Sequence, residues 1–258
     1  MSDPTVVGVD GSAGAWVAAV LGSGAAPRLR WCADIDVVLR LAAAVGATVI
    51  GTDMPIGLPE DAPRPSDRAA RLLLGPRRST LFPTPMRTVL DAVDYPDALA
   101  RSRAVSGRGL SKQAWNLVPA IRQVRTAALA AQRSGGPRFV EVHPETSFTV
   151  MAGRPLAPKR SSEGVAERIE VLAEALGDTG LVAEALRDPV GLVRRAETAA
   201  GAADGSADEA AVAMGRFGVD DVLDALAAAW SARRYALGQA TVLGDGVDAD
   251  GLPLTLVV

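Results

Sequence analysis

The sequence predicts an α/β fold: a mixed sheet entered through a β-β-β-α-β run, flanked by helices and interrupted by an inserted, mostly helical, basic cap. Three observations predict it. The stretches "TVVGVD", "AWVAAVLG" and "PRLRWCA" read as an antiparallel meander, the first two strands joined by the tight turn "GSAG". "DIDVVLRLAAAVG" then carries apolar residues at helical spacing between Asp34 or Asp36 and Gly46, and "ATVIGTD" reads as a buried strand. Residues 55–135 break the pattern with Pro55, Pro59, Pro63, Pro65, Pro76, Pro83 and Pro85, between helical stretches such as "SDRAARLLLG" and "SKQAWNLVPAIRQVRTAALAAQR". With 258 residues and 48% hydrophobic content, the chain can bury the core of a single domain spanning 1–258, with 55–135 inserted in it.

The second half continues the alternation. "PRFVEVHPE" reads as a strand with Glu141 and His143 near its end, followed by the loop "GRPLAPKRSSEG". Amphipathic helices are predicted over "GVAERIEVLAEALG" and "LVAEALRDPVGLVRRAETA", then a polar connection, "GAADGSADEA". In "GVDDVLDALAAAWSARRYALG" the positions Val222, Leu223, Leu226, Ala227, Trp230 and Leu237 suit a helix packed on the sheet, and "LPLTLVV" is expected to add a terminal strand.

Charge and composition narrow the chemistry. The chain carries a net charge of -3, without the overall basic excess typical of nucleic-acid binders. The average hides an asymmetry, since thirteen Arg or Lys face five Asp or Glu between residues 61 and 133. One cysteine, Cys32, excludes an internal disulfide, and one histidine, His143, excludes a Cys/His zinc site within one chain. Metal chemistry therefore needs carboxylates. No apolar run reaches the roughly 20 residues of a membrane helix, and "MSDPTVV" lacks a basic leader, so no membrane association and a cytoplasmic location are expected.

Carboxylates are placed to supply that chemistry. Asp10 and Asp53 close the first and fourth predicted strands, Glu141 lies near the end of the next, and Asp221 and Asp224 share one face at the start of the last helix. Clustered acids coexist at neutral pH when a divalent cation neutralises them, and oxygen-only ligands favour Mg2+ or Mn2+. Two such ions can activate water and stabilise the leaving oxygen of a phosphodiester, with Gly11 and Gly14 keeping the approach open. Structural readings stand beside these: Asp10 and Asp53 as turn residues, Glu141 as an edge-strand acid or the partner of an arginine such as Arg138, Asp220 and Asp221 as helix caps. For substrate contacts, Arg77 and Arg78 follow Gly75-Pro76, while "SGRGLSK" sets Arg108, Ser111 and Lys112 in a glycine-flanked loop before a helix, where backbone N–H groups receive phosphate. His143 is either a hydrogen-bonded structural residue or, sharing a face with Glu141 and Glu145 along an extended segment, a phosphate or water ligand.

Taken in order, "GVDG" with a following Trp, "TDMPIGLPE", "DRAARLLLGPRRSTLFPTPMR", "GRGLSKQAWNLVPAI", "EVHPETSF" and "DDVLDALAAAW" resemble a bacterial and archaeal domain-of-unknown-function family described as predicted RNase H-like nucleases. The resemblance spans most of the chain. It implies an RNase H-like fold and a metal-dependent nuclease or phosphodiesterase acting on nucleic acid or another phosphodiester. Two alternatives accompany it. One is an ATP-dependent phosphotransferase of the actin and sugar-kinase type, whose first strand also carries Asp-Gly in a phosphate-contacting hairpin; the other is a non-catalytic adaptor binding nucleic acid or protein.

Overall fold

A computed structural model describes residues 3–12, 14–22, 27–177, 180 and 218–258. The predicted helix "LVAEALRDPVGLVRRAETA" and the connection "GAADGSADEA" lie outside the described residues. The chain opens with β1 (Val6–Ser12), β2 (Ala15–Leu21) and β3 (Arg28–Cys32), then α1 (Ile35–Ala44) and β4 (Val49–Thr52). β5 (Arg138–Glu141) completes a five-stranded mixed sheet of order β3-β2-β1-β4-β5. β1, β2 and β3 pair antiparallel, and β4 and β5 run parallel to β1. This is the α/β architecture and strand order along the chain that the hydrophobic patterning predicts.

Two details differ from the expectation. β1 runs on through Gly11 and Ser12, so Asp10 is an interior strand residue opposite Val17, and the hairpin closes between Ser12 and Ala15 with Gly14 at φ 89°. β5 stops at Glu141, and Pro144 opens a helix, α5 (Pro144–Ala152). Glu141, His143 and Glu145 therefore do not share one face of a continuing strand: a proline with fixed φ starts a helix there instead.

Between β4 and β5 come α2 (Pro65–Leu74), short 3-10 helices over Gly75–Thr80 and Arg87–Asp91, α3 (Tyr95–Ser106) and α4 (Lys112–Ser134). The segment has its own small core of Met86, Val89, Ala92, Ala98, Leu110, Ala114 and Val118. The C-terminal half of α4 does not belong to it. Ile121, Val124, Ala127, Ala128 and Ala131 join the α1 side of the sheet.

The other face of the sheet receives α6 (Ser162–Leu176) and α7 (Val219–Ala236) together with α5. α7 lies directly on β1 and β4 because the sheet offers it a lane without side chains. Gly8 and Gly51 are register partners across β1 and β4. A Cβ on Gly8 would overlap the backbone of Ala225 and Ala229, and one on Gly51 would stand 2.6 Å from the Ala228 carbonyl oxygen. The alanines of "DALAAAWSA" complete the fit, so that sheet and helix meet at backbone distance. The expected terminal strand is present in short form: β7 (Leu256–Val257) pairs with β6 (Val242–Leu243), and Val257 bridges to Val142. Among the described residues no helix is long and apolar enough to cross a membrane.

Candidate functional site

The close seating of α7 brings its first turns over the C-terminal ends of β1, β4 and β5. There Asp10, Asp53, Glu141 and Asp224 line one cavity of about 500 Å³. Asp10 comes from within β1, Asp53 directly follows β4, Glu141 ends β5, and Asp224 lies in the second turn of α7. Desolvation pushes the Asp10 carboxyl well above the usual carboxylate range, and Asp224, Asp53 and Asp221 add to it while Lys159 opposes. Asp53 is raised for the same first reason, then by Asp224, again against Lys159. Asp224 is pushed up to about 6, with burial outweighing its ammonium partner. These acids are held in a state of mutual repulsion.

Lys159 is the ammonium in their midst. Its Nζ donates to Asp224 Oδ2 at 3.0 Å and stands 3.7 Å from Asp220 Oδ2. Its loop is fixed from below. Arg168, itself fully buried, donates from Nη2 to both oxygens of Glu145 at 2.6 and 2.7 Å and from Nη1 to the carbonyls of Ala157 and Gly164. Gly164 has no room for a Cβ because the Pro158 carbonyl fills the space. Sequence reasoning missed Lys159, although it is one of only two lysines in an arginine-rich chain.

The remaining expected acids are differently placed. Glu141 is clamped by Arg64, Nη1 to Oε2 at 2.7 Å and Nη2 to Oε1 at 2.6 Å, and accepts the Ile56 N–H at 2.9 Å. Arg64 also binds Asp67 Oδ1 and the Gly57 carbonyl, and Asp67 accepts the Thr84 N–H and hydroxyl. Glu141 thus lines the cavity with its oxygens already engaged, its carboxyl still raised because desolvation exceeds the pull of Arg64. Asp221 caps α7 by accepting the Gly218 N–H at 2.7 Å. Of the two acids expected to cap this helix, Asp221 does so.

The expected substrate contacts divide between two places. Arg77 and His143 line the acidic cavity, whereas Arg108 and Ser111 line a neighbouring one. Arg78 and Lys112 are exposed and line neither, and the Lys112 ammonium lies 5.8 Å from the Tyr95 ring centre. Ser111 caps α4 by accepting the Ala114 N–H at 3.1 Å. Burial lowers His143 to about 4, against a hydrogen bond to the Thr80 backbone, so the imidazole is neutral at pH 7, and its Nδ1 is buried without a partner. Gly11 lines the cavity, and a Cβ there would approach the Trp16 ring at 2.9 Å, so this glycine accommodates its cross-strand neighbour.

The donor set suits a hard divalent cation in kind and charge: carboxylate oxygens held together against repulsion, with Asp10, Asp53 and Asp224 the groups that would hold it. It is not a closed cage, since among the described residues no three His, Cys, Asp or Glu side chains are arranged to hold a metal ion.

No curated protein and no solved structure matches the chain significantly. A family model does, over residues 8–249, and on that match the chain belongs to the family described as Protein of unknown function (DUF429).

Proposed function

We propose that this chain is a divalent-metal-dependent phosphodiesterase of RNase H-like architecture that cleaves nucleic acid by two-metal carboxylate chemistry. The observation that carries the reading is the meeting of Asp10, Asp53 and Asp224, from two adjacent parallel strands and the helix laid across them, in one cavity with raised carboxyl pKa values. Buried acids left in repulsion are costly unless a cation completes them. The mixed sheet with its β-β-β-α-β core and inserted segment supports the RNase H-like part of the reading.

Magnesium or manganese bound there would supply Lewis-acid polarisation of the phosphodiester and a water acidic enough to attack at neutral pH. The protein's own groups do the rest. Asp10, Asp53 and Asp224 concentrate negative charge at the strand ends; Arg77 faces the same cavity and attracts the phosphate. The neutral His143 presents an unpartnered Nδ1 that can orient a water or a substrate hydroxyl. Lys159 balances the acids until substrate and cation arrive.

The adaptor reading draws on one observation: among the described residues no three acidic, His or Cys side chains form a closed metal cage, and Lys159 already pairs with Asp224. A single experiment separates the two. Purified protein is incubated with single-stranded, duplex, hybrid and branched nucleic acids in Mg2+ or Mn2+, beside Asp10→Asn. Metal-dependent cutting that Asp10→Asn lowers by more than about 100-fold, beyond the usual cost of losing an outer-shell partner of a metal site, is expected. Equal cutting by both proteins, or none by either, overturns the nuclease reading.

A further inference from the structure

A second cavity of about 510 Å³ adjoins the acidic one, and Pro83, Thr84, Pro85 and Ala114 line both. Its charge is opposite. Arg68, Arg71 and Arg108 line it, and the one carboxylate among its lining residues, Asp67, is held by Arg64 and the Thr84 hydroxyl. Arg68 and Arg71 are three apart on α2, and Arg108 comes from the loop before α4. Among the described residues the guanidinium groups of Arg68 and Arg108 make no hydrogen bond or ion pair. Arg71 is anchored to the Arg78 and Leu81 carbonyls at 3.2 and 2.6 Å, which fixes its position and leaves its charge uncompensated.

The wall between the cavities is stiff and nearly without donors. Pro83 and Pro85 have no N–H, and the Thr84 N–H already goes to Asp67. An anion gains nothing by resting on this ridge and gains three cations by passing beyond it.

We propose that the arginine cavity is a phosphate subsite for a nucleic-acid strand that crosses the Pro83–Pro85 ridge with another of its phosphates in the acidic cavity. The inference rests on the phosphodiesterase reading and sharpens it: the substrate carries at least two phosphates in series, which excludes an isolated small phosphodiester. Guanidinium groups suit this task because they remain charged and bind phosphate oxygens in a fork.

Binding is measured by fluorescence anisotropy of an end-labelled single-stranded oligonucleotide on full-length Asp10→Asn protein with Mg2+, between about 50 and 200 mM salt. Added to that background, Arg68→Gln with Arg108→Gln lowers affinity about tenfold or more and makes the salt dependence shallower by about 0.7 log units per arginine. The Lys pair at these positions restores most of the salt slope, and Arg133→Gln on the exposed end of α4 changes neither quantity. Unchanged affinity and slope in the glutamine pair overturn the subsite. So does arginine-dependent binding of inorganic phosphate or a mononucleotide with no gain for the oligonucleotide. Arginine-dependent strand binding in a protein whose wild type cuts nothing leaves the subsite standing and removes the nuclease reading alone, so the two failures are distinguishable.

Discussion

Two sets of charges, buried or half-buried, lie within one fold and are treated in opposite ways. Arg64 with Glu141 and Asp67, Arg168 with Glu145, and Arg125 with Asp248 form bonded pairs, each guanidinium also held by backbone carbonyls. Asp10, Asp53 and Asp224 instead share one lysine and repel each other. Pairs satisfied within the chain hold elements together: Arg64 ties the end of β5 to α2 and the ridge, and Arg125 with Asp248 ties the Ile56–Leu58 turn to the C-terminal segment. Acids left unsatisfied are available to something the chain does not contain. The contrast separates framework from site.

The largest expected effect breaks the framework. Arg64→Ala strands Glu141 and Asp67 in an interior they reach only as ion-pair partners, and should cost about 3 to 5 kcal/mol in urea unfolding. Arg64→Lys should recover little of it, because one ammonium cannot reproduce five directed N–H bonds. A loss near zero would mean that the bonded pairs are no more structural than the acids.

Asp10→Asn should act in the opposite sense. Its folded pKa lies above the unfolded one, so the folded protein binds the extra proton, and the ionised side chain costs stability as pH rises above about 4. Metal-free Asp10→Asn should therefore be more stable than wild type at pH 7, by about 1 kcal/mol or more, with the gap closing as pH falls toward 4. His143 follows the other sign, its depressed value of about 4 lowering stability as pH drops below its usual 6.5, but it is common to both proteins and cancels in the difference. Mg2+ or Mn2+ should raise the melting temperature of wild type and leave Asp10→Asn almost unmoved. A less stable metal-free Asp10→Asn would place this acid with the framework.

The smallest effect is assigned to Lys159, which is about a third exposed. Lys159→Met should change metal-free stability by less than about 1 kcal/mol, since solvent screens the pair. The same substitution removes the ammonium that competes for Asp224, so Mn2+ should bind more tightly by calorimetry. Weaker Mn2+ binding would show that Lys159 helps to build the site instead of guarding it.

Much of the framework was legible in the chain. β1 to β4 and α1 announce themselves by alternation, helical spacing and turn residues, and the late helix by its apolar face. α5 was not legible: Pro144 to Thr149 are all buried, so the segment has no polar face and no amphipathic period, and it begins within what reads as a strand. Asp10, Asp53 and Asp224 could be expected to meet because the strands and the helix start that carry them are visible in sequence, although β1 runs two residues past Asp10. The engagement of Glu141 by Arg64 could not, for the partners are 77 residues apart and nothing local joins them.

The sequence by itself determined most of the elements, that two carboxylates would come late in the first and fourth strands, and that positive charge would gather in the inserted segment, because periodicity and charge count are local properties. Only the tertiary structure decided which acids are balanced and which are not. That depends on the glycine lane of Gly8 and Gly51, which admits α7 at backbone distance and sets Asp224 over Asp10, and on loops that deliver Arg64 to Glu141 and Lys159 to Asp224. Charge compensation follows from distance and burial, and both are fixed by packing between residues far apart in the chain.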